Sequence, residues 1–225
     1  MKRLVIPAAL LFGLLGQARA MELPLPGGMR AALPVASIKA IRFETTVRQR
    51  YDFSCGSAAL ATLLSHHYAH PVSEKFVFEQ MYRRGDRNKI RRQGFSLLDM
   101  QRFLRTRGFK ADGFALPLDK LLEAGLPAIV LVSDKGYHHF VVVKGIAGGR
   151  VLIGDPSSGT RAMPRAAFEQ IWRSKLLFVI RAWRGPVRFN GADDWRAAPA
   201  APLAEGIARN GLGAMTLPKL GPGDF

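Results

Sequence analysis

The chain has 225 residues, of which 48% are hydrophobic, and this composition suffices for one folded domain with a tail. Its 33 basic and 17 acidic side chains give a formal net charge of +16. The arginines are spread along the chain, with one dense cluster at residues 83–92, which argues against a nucleic-acid partner. The charge favours peripheral contact with an anionic membrane surface or an acidic polypeptide; a solvated basic loop at 83–92 is the alternative.

The first twenty residues have the order of a secretory signal peptide. Lys2 and Arg3 precede an apolar stretch from Leu4 to Leu15, and Ala18-Arg19-Ala20 follows, so we expect cleavage after Ala20. An uncleaved membrane anchor is the alternative, but the stretch is about a dozen residues long and a spanning helix needs roughly 20. We therefore expect an exported, periplasmic protein whose mature part is soluble.

The sequence after the signal peptide divides into three parts. Residues 21–37 are rich in proline and glycine and are predicted to be a linker with neither helix nor strand. Residues 38–184 form the predicted domain, whose first ten residues are expected to be extended. Residues 185–225 are expected to be an extended or disordered tail, because its larger part is rich in Ala, Pro and Gly.

Helices are predicted in the first half of the domain and strands in the second. Hydrophobic periodicity and capping residues predict helices at 55–68, 73–83, 96–107 and 119–124. Runs of β-branched and aromatic residues between turns predict strands at 128–132, 139–146, 150–154, 160–163 and 176–183, with a short helix at 168–172. This order indicates an α+β domain with an antiparallel sheet.

Cys55 is the only cysteine of the chain. Exported proteins normally pair their cysteines in disulfides, so a lone thiol suggests a chemical role, with inert packing as the alternative. It falls in the first turn of the helix predicted at 55–68, which Asp52 or Ser54 would cap. Unpaired N–H groups and the helix dipole favour a thiolate there, and nucleophilic catalysis is the leading interpretation.

A catalytic cysteine needs a base, and the candidates are five histidines. His66, His67 and His70 lie at the far end of the cysteine helix, some 15 Å away at about 1.5 Å per residue. They are interpreted as surface or packing residues, and we expect neither a metal site nor a cofactor. His138 and His139 begin a strand, where adjacent side chains point to opposite faces, so only one of them can face the cysteine.

The third group of a triad is predicted from the hairpin that follows. If the chain turns near Gly148, position 155 lies opposite position 141, one side-chain repeat from His139. A hydrogen bond between Asp155 and His139 is therefore predicted. Asp155-Pro156 is alternatively only a turn, a role that does not exclude the hydrogen bond.

Three motifs in order resemble the bacteriocin-processing peptidases, the cysteine peptidase family thirty-nine, which cleave leader peptides after double-glycine sites. They are Gln49-x5-Cys55-Gly56, His139-Phe140-Val141-Val142-Val143 and Ile153-Gly154-Asp155-Pro156. The resemblance runs from about Phe43 to Phe178 and implies a papain-like peptidase fold. It implies Cys55 as nucleophile, His139 as general base and acid, Asp155 as the group that orients the imidazole, and Gln49 as donor to the oxyanion.

The chain looks more like the freestanding, exported members of that superfamily than like the peptidase domains of ATP-binding-cassette exporters, and some of those freestanding members accompany secretion systems for fibre or amyloid proteins. Ser54 stands where family members commonly have an aspartate. The resemblance implies a peptidase that cleaves a secreted or periplasmic protein through an acyl-enzyme thioester, with secretion-system components as further partners. A non-cleaving peptide-binding or chaperone module and a transglutaminase-like acyl transferase are the alternatives. A base at His138 and a plain surface role for Gln49 also stay open.

Overall fold

The computed structural model describes residues 37–134 and 136–199, together with the backbone of two short strands nearer the N-terminus. The chain divides into two compact units, residues 1–40 and residues 41–225. The expected signal peptide, apart from Ala20, and the last part of the expected tail lie outside the described residues. Among the helices that are described, none is long and apolar enough to cross a membrane.

The first unit contains an antiparallel pair of strands, β1 (Ala20–Pro24) and β2 (Arg30–Pro34). The prediction that residues 21–37 form neither helix nor strand is therefore wrong. A proline ends each strand, and a two-stranded sheet tolerates this because both of its strands are edges, where a missing N–H donor costs little.

The helical half of the second unit is built around α2. Its N-terminal residue is Cys55, and every one of its residues is buried. A π-helical turn at Leu63–His67 continues it, so the helix predicted at 55–68 is confirmed. The helices before the sheet are α1 (Ile38–Phe43), α2 (Cys55–Thr62), α3 (Glu74–Arg84), α4 (Arg87–Gln93) and α5 (Leu97–Thr106).

The second half is an antiparallel sheet in the order β3-β8-β4-β5-β6-β7. Its strands are β3 (Lys110–Ala115), β4 (Ala128–Asp134), β5 (Tyr137–Ala147), β6 (Arg150–Asp155), β7 (Gly159–Pro164) and β8 (Leu176–Arg181). The short helices of this half are α6 (Asp119–Ala124), α7 (Arg165–Ile171) and α8 (Ala192–Arg196). The predicted α+β architecture is confirmed.

The core consists of two clusters, to which alternate residues of β5 belong. Phe140 and Val142 belong to the cluster formed with α2, α3 and α5. Val141 and Val143 belong to the cluster that contains Phe168 and Trp172 of the α7 region. Because β5 is buried on both faces, its position is fixed between the helices on one side and α7 on the other.

Two predictions about local structure before the sheet are wrong. Residues 38–43 form α1 rather than an extended segment, and the Ser37 hydroxyl accepts a hydrogen bond from the Ala40 N–H at its start. The basic segment 83–92 is not a loop, since α4 occupies most of it. The Asp86 carboxylate caps α4 by accepting from two backbone N–H groups, and Ile90 anchors the helix in the core.

The prediction of an extended or disordered tail is wrong for residues 185–199. This segment packs on the domain and contains α8. The Asp194 side chain is 2% exposed and forms an ion pair with Lys144 of β5. A long-range charge pair, which leaves no periodic signal in the sequence, holds the segment in place.

Candidate active site

Cys55 lies at the N-terminal end of α2 and is 7% exposed, at the wall of a cleft. Gly56, which follows it, packs closely on the core: a Cβ there would lie 2.8 Å from the flexible end of Met100 and 3.1 Å from Phe95 Cβ. Ser54 occupies the N-cap position, but its hydroxyl hydrogen-bonds with the backbone of Tyr51 instead of capping α2. The backbone N–H groups in the first turn of α2, which lie near the thiol, therefore do not donate to the N-cap side chain.

The histidine and the aspartate meet on adjacent strands. His139 Nε2 lies 2.8 Å from Asp155 Oδ1, and both side chains are buried. Val142 pairs with Gly154, so position 155 comes opposite position 141 as the hairpin argument requires. The predicted hydrogen bond between His139 and Asp155 is confirmed. His139 is buried beside Asp155, whereas His138 is exposed.

The surroundings of His139 favour its protonated form. Burial lowers the pKa of His139, but the hydrogen bond with Asp155 and the interaction with the Cys55 side chain outweigh burial and raise it to about 9. Nε2 is bonded to Asp155, and the buried Nδ1 has no hydrogen-bond partner among the described residues. Nδ1 is therefore the ring nitrogen left for the cysteine, and near neutral pH the imidazolium can pair with a thiolate.

Asp155 is held in its charged form by a turn that follows it. Its Oδ1 accepts from the N–H and the hydroxyl of Ser157, at 2.9 and 2.7 Å, and its Oδ2 lies 3.4 Å from Arg161. Burial would raise the pKa of Asp155, but the hydrogen bonds from His139 and Ser157 hold it well below its ordinary value. Ser157 and Arg161 were missed as site residues; the turn composition Asp-Pro-Ser-Ser-Gly was the available signal for Ser157.

Gln49 lies next to this turn but is engaged within its own loop. Its backbone N–H donates to the Pro156 carbonyl at 3.0 Å, which ties the loop before Cys55 to the end of β6. Its side-chain Nε2 donates to the Tyr51 carbonyl at 3.1 Å, and its buried Oε1 has no partner in the described part of the chain. The structure thus brings together Cys55, His139 and Asp155, and holds the Gln49 amide on the adjoining loop.

The cleft beside Cys55 has a volume of about 990 Å³ and a largely apolar lining. Leu98, Leu131 and Phe140 contribute apolar surface, and Arg91 and Arg92 of α4 contribute positive charge. The exposed Tyr137 also belongs to the lining. It was missed in the sequence, although it precedes His139 by two residues and so shares its face of β5.

An α+β fold that presents a helix-terminal cysteine beside a buried His–Asp pair defines a cysteine peptidase. The family described as "Peptidase C39 family" matches residues 44–183, and the chain belongs to this family. It is 39% identical over 181 residues to the "Probable functional amyloid protease FapD" of Pseudomonas aeruginosa, with 80% of each chain covered. It is 40% identical over 156 residues to the protein of that name from Pseudomonas fluorescens, with 69% of each covered.

The fold is also that of a solved peptidase domain. The crystal structure of the peptidase domain of Streptococcus ComA, a bifunctional ABC transporter of a quorum-sensing pathway, matches with a TM-score of 0.52 and 23% identity. The match covers 63% of this chain and 98% of the ComA domain. The predicted papain-like peptidase architecture is confirmed. The matched family region ends at residue 183, so residues 185–199 lie beyond it.

Proposed function

We propose that this cysteine peptidase is exported and cleaves a secreted, amyloid-related polypeptide, with Cys55, His139 and Asp155 as its triad. The observation that carries the triad is the buried hydrogen bond between His139 and Asp155 next to the cysteine. The names of the two FapD relatives support the substrate class. The large cleft beside Cys55 has the dimensions and apolar surface that a peptide segment requires.

In the proposed reaction, the Cys55 thiolate attacks the carbonyl carbon of the scissile peptide bond. The His139 imidazolium then gives its Nδ1 proton to the leaving amine, and a thioester between Cys55 and the N-terminal fragment remains. Neutral His139 next takes a proton from water, which attacks the thioester and releases the carboxylic acid and the Cys55 thiolate, so the starting thiolate–imidazolium pair is restored. Asp155 orients the ring and stabilises its positive charge throughout.

The negative oxygen of each tetrahedral intermediate requires hydrogen-bond donors. The first-turn N–H groups of α2 are suited to this role, because the Ser54 side chain bonds Tyr51 instead of capping them. Gln49 is proposed as the side-chain donor. To act, its amide would exchange the hydrogen bond to the Tyr51 carbonyl for one to the oxyanion.

We further propose that the enzyme acts in the periplasm and meets its substrate, with secretion-system components, during secretion. The order of charged, apolar and small residues over positions 1–20 supports export. The basic residues of α4 supply charge for contact with an acidic polypeptide or a membrane surface. N-terminal sequencing of the protein recovered from a periplasmic fraction tests this: export with cleavage predicts a chain that starts at Met21, and a chain that retains Met1 in the membrane fraction contradicts it.

The activity is tested with the purified protein and the amyloid subunit secreted by its own host. Mass spectrometry should show two fragments from one cut with the wild type, and none with Cys55→Ala or His139→Ala. His138→Ala is the matched control: His138 is exposed and lines the cleft, but Asp155 bonds His139, so this variant should still make the cut. Binding of the subunit without cleavage would favour the chaperone module instead, and incorporation of an added amine at the cut would indicate acyl transfer.

A further inference from the structure

The hairpin of β5 and β6 contains a one-residue bulge at Lys144. Gly145 pairs with Leu152, whereas Val143 pairs with Ile153, so Lys144 has no partner in β6. Bulges of this kind locally bend a strand and change the direction of the side chains that follow. This one lies five residues beyond His139 in the same strand.

The bulge decides on which face of the sheet Asp155 lies. Next to the turn, Ala147 pairs with Arg150 and Gly145 with Leu152. If this register continued along both strands without a bulge, Asp155 would lie opposite Val142. With it, Val142 lies opposite Gly154. Residues opposite each other share a face and adjacent residues do not, so loss of the bulge would move the Asp155 carboxylate to the face away from His139.

Asn190, from the segment after the sheet, bonds the backbone of the bulged Lys144 and of Ile146, two residues further along β5. Its N–H donates to the Lys144 carbonyl at 2.9 Å, and its Oδ1 accepts from the Ile146 N–H at 2.7 Å. Its φ of 57° is left-handed, a conformation that asparagine adopts more readily than most residues. A glycine at 145 makes room for it, since a Cβ there would collide with the Asn190 side chain.

Asp194 fixes the side chain of the bulged lysine. Lys144 is fully buried, and its Nζ lies 2.6 Å from Asp194 Oδ1 and 2.7 Å from the Thr45 carbonyl. The Thr45 hydroxyl donates to the same Asp194 oxygen at 2.6 Å. Two buried charges are tolerated only while they remain paired and hydrogen-bonded, so Lys144 and Asp194 hold each other in place.

The stem of Lys144 also packs against the strand that carries the aspartate. A Cβ at Gly154 would lie 2.9 Å from Lys144 Cδ and 2.9 Å from Thr46 Oγ1. Gly154 directly precedes Asp155, so the lysine rests on the backbone that presents the carboxylate. The packing of Lys144 therefore affects the position of Asp155 directly, through the backbone of β6.

We infer that Asn190 and Asp194 are positioning residues of the peptidase, which hold the Lys144 bulge and thereby set the Asp155 carboxylate on the face of His139. Both lie beyond the matched family region 44–183, and neither lines the cleft. They act through β5 and β6 and touch no substrate. The inference rests on the proposed function, because it assigns them an effect on the proposed triad.

The first test compares Asn190→Gly with Asn190→Asp. The glycine variant keeps the left-handed backbone but loses the acceptor for the Ile146 N–H, and the aspartate variant keeps that acceptor. For Asn190→Gly we expect kcat to fall about 10- to 100-fold with KM nearly unchanged, because small misplacements of catalytic groups have effects of this size. In the same variant the pKa of His139, followed by NMR, should fall from about 9 towards 6.5. Asn190→Asp should keep both kcat and the pKa of His139 near their wild-type values.

The second test compares Asp194→Asn with Asp193→Asn. Asp193 lies on the same helix but is exposed, and in the described part of the chain it pairs with the exposed Arg188 alone, so its loss removes the same charge without touching the bulge. Asp194→Asn should lower kcat and the pKa of His139, and Asp193→Asn should change neither. If Asp194→Asn does not fold, the two Asn190 variants decide the question.

A purely structural role predicts a different result. Folded Asn190→Gly and Asp194→Asn would then melt at lower temperature but keep the wild-type kcat and His139 titration, which would overturn the inference. The titration needs no substrate. If the wild type cleaves nothing, the proposed function fails on its own, and the His139 titration in the variants still decides whether the bulge positions Asp155.

Discussion

The ring of Tyr137 stacks on the imidazole of His139, with ring centroids 5.8 Å apart and planes inclined by 26°. The Tyr137 hydroxyl lies 3.4 Å from the Asp52 carbonyl, on the loop that leads to Cys55. Tyr137 is 56% exposed, whereas His139 is 6% exposed. The tyrosine ring therefore covers one face of the imidazole and forms part of the cleft lining.

Removal of this ring should weaken catalysis. Tyr137→Ala is expected to lower kcat/KM about tenfold, since an aromatic pair contributes about 0.5–1.5 kcal/mol and 1.4 kcal/mol corresponds to a factor of ten. Tyr137→Phe keeps the ring and loses only the long, exposed hydrogen bond, so it should stay near the wild type. Steady-state kinetics on a fluorogenic peptide that contains the cleavage site measures both. Equal losses in the two variants would mean that the hydroxyl, not the stack, matters.

The charge state of His139 predicts how the thiol reacts with pH. Burial opposes protonation, but Asp155 and Cys55 raise the pKa of His139 to about 9, so the imidazolium persists through neutral pH and favours the thiolate. The rate of Cys55 alkylation by iodoacetamide at neutral pH should therefore depend on His139. His139→Ala should lose this reactivity, and His138→Ala should keep it. Slow, identical alkylation in the wild type and His139→Ala would contradict an activated pair.

The same pair should contribute to stability within a defined pH window. The pKa of His139 is raised above its ordinary 6.5, so its contribution is complete below 6.5 and is lost as the pH rises through about 9. The pKa of Asp155 is lowered from 3.8, so its contribution is present above 3.8 and is lost only in stronger acid. Urea unfolding of the wild type and His139→Gln at pH 5.5, 7.5 and 9.5 should show a difference in unfolding free energy that shrinks at pH 9.5. A constant difference would contradict the raised pKa.

The sequence predicts the His139–Asp155 contact correctly, but the structure reaches it by another route. The prediction assumes a hairpin centred on Gly148. The actual turn places Ala147 opposite Arg150, and the bulge at Lys144 supplies the missing residue. A bulge held by Asn190 depends on a contact between distant positions, and neither alternation nor turn composition reveals it.

The elements that the sequence misses share this dependence on distant partners. β3 has mostly exposed residues, and its pairing with β8 defines it rather than any alternation of its own. α8 lies in a segment whose composition is typical of a tail, and the burial of Asp194 against Lys144 anchors it. Long periodic helices and apolar strands, by contrast, carry their signal within a few residues of chain.

The turn after Asp155 should set the acid limit of activity. Ser157→Ala removes the hydroxyl that donates to Asp155 Oδ1 at 2.7 Å, so the pKa of Asp155 should rise towards its ordinary value. The carboxylate would then be protonated at higher pH, and the acid limb of the kcat/KM profile should move upward. Ser158→Ala is the matched control, because the Ser158 hydroxyl bonds nothing among the described residues. An unmoved acid limb in Ser157→Ala, or an equal shift in Ser158→Ala, would show that this hydroxyl does not control the charge of Asp155.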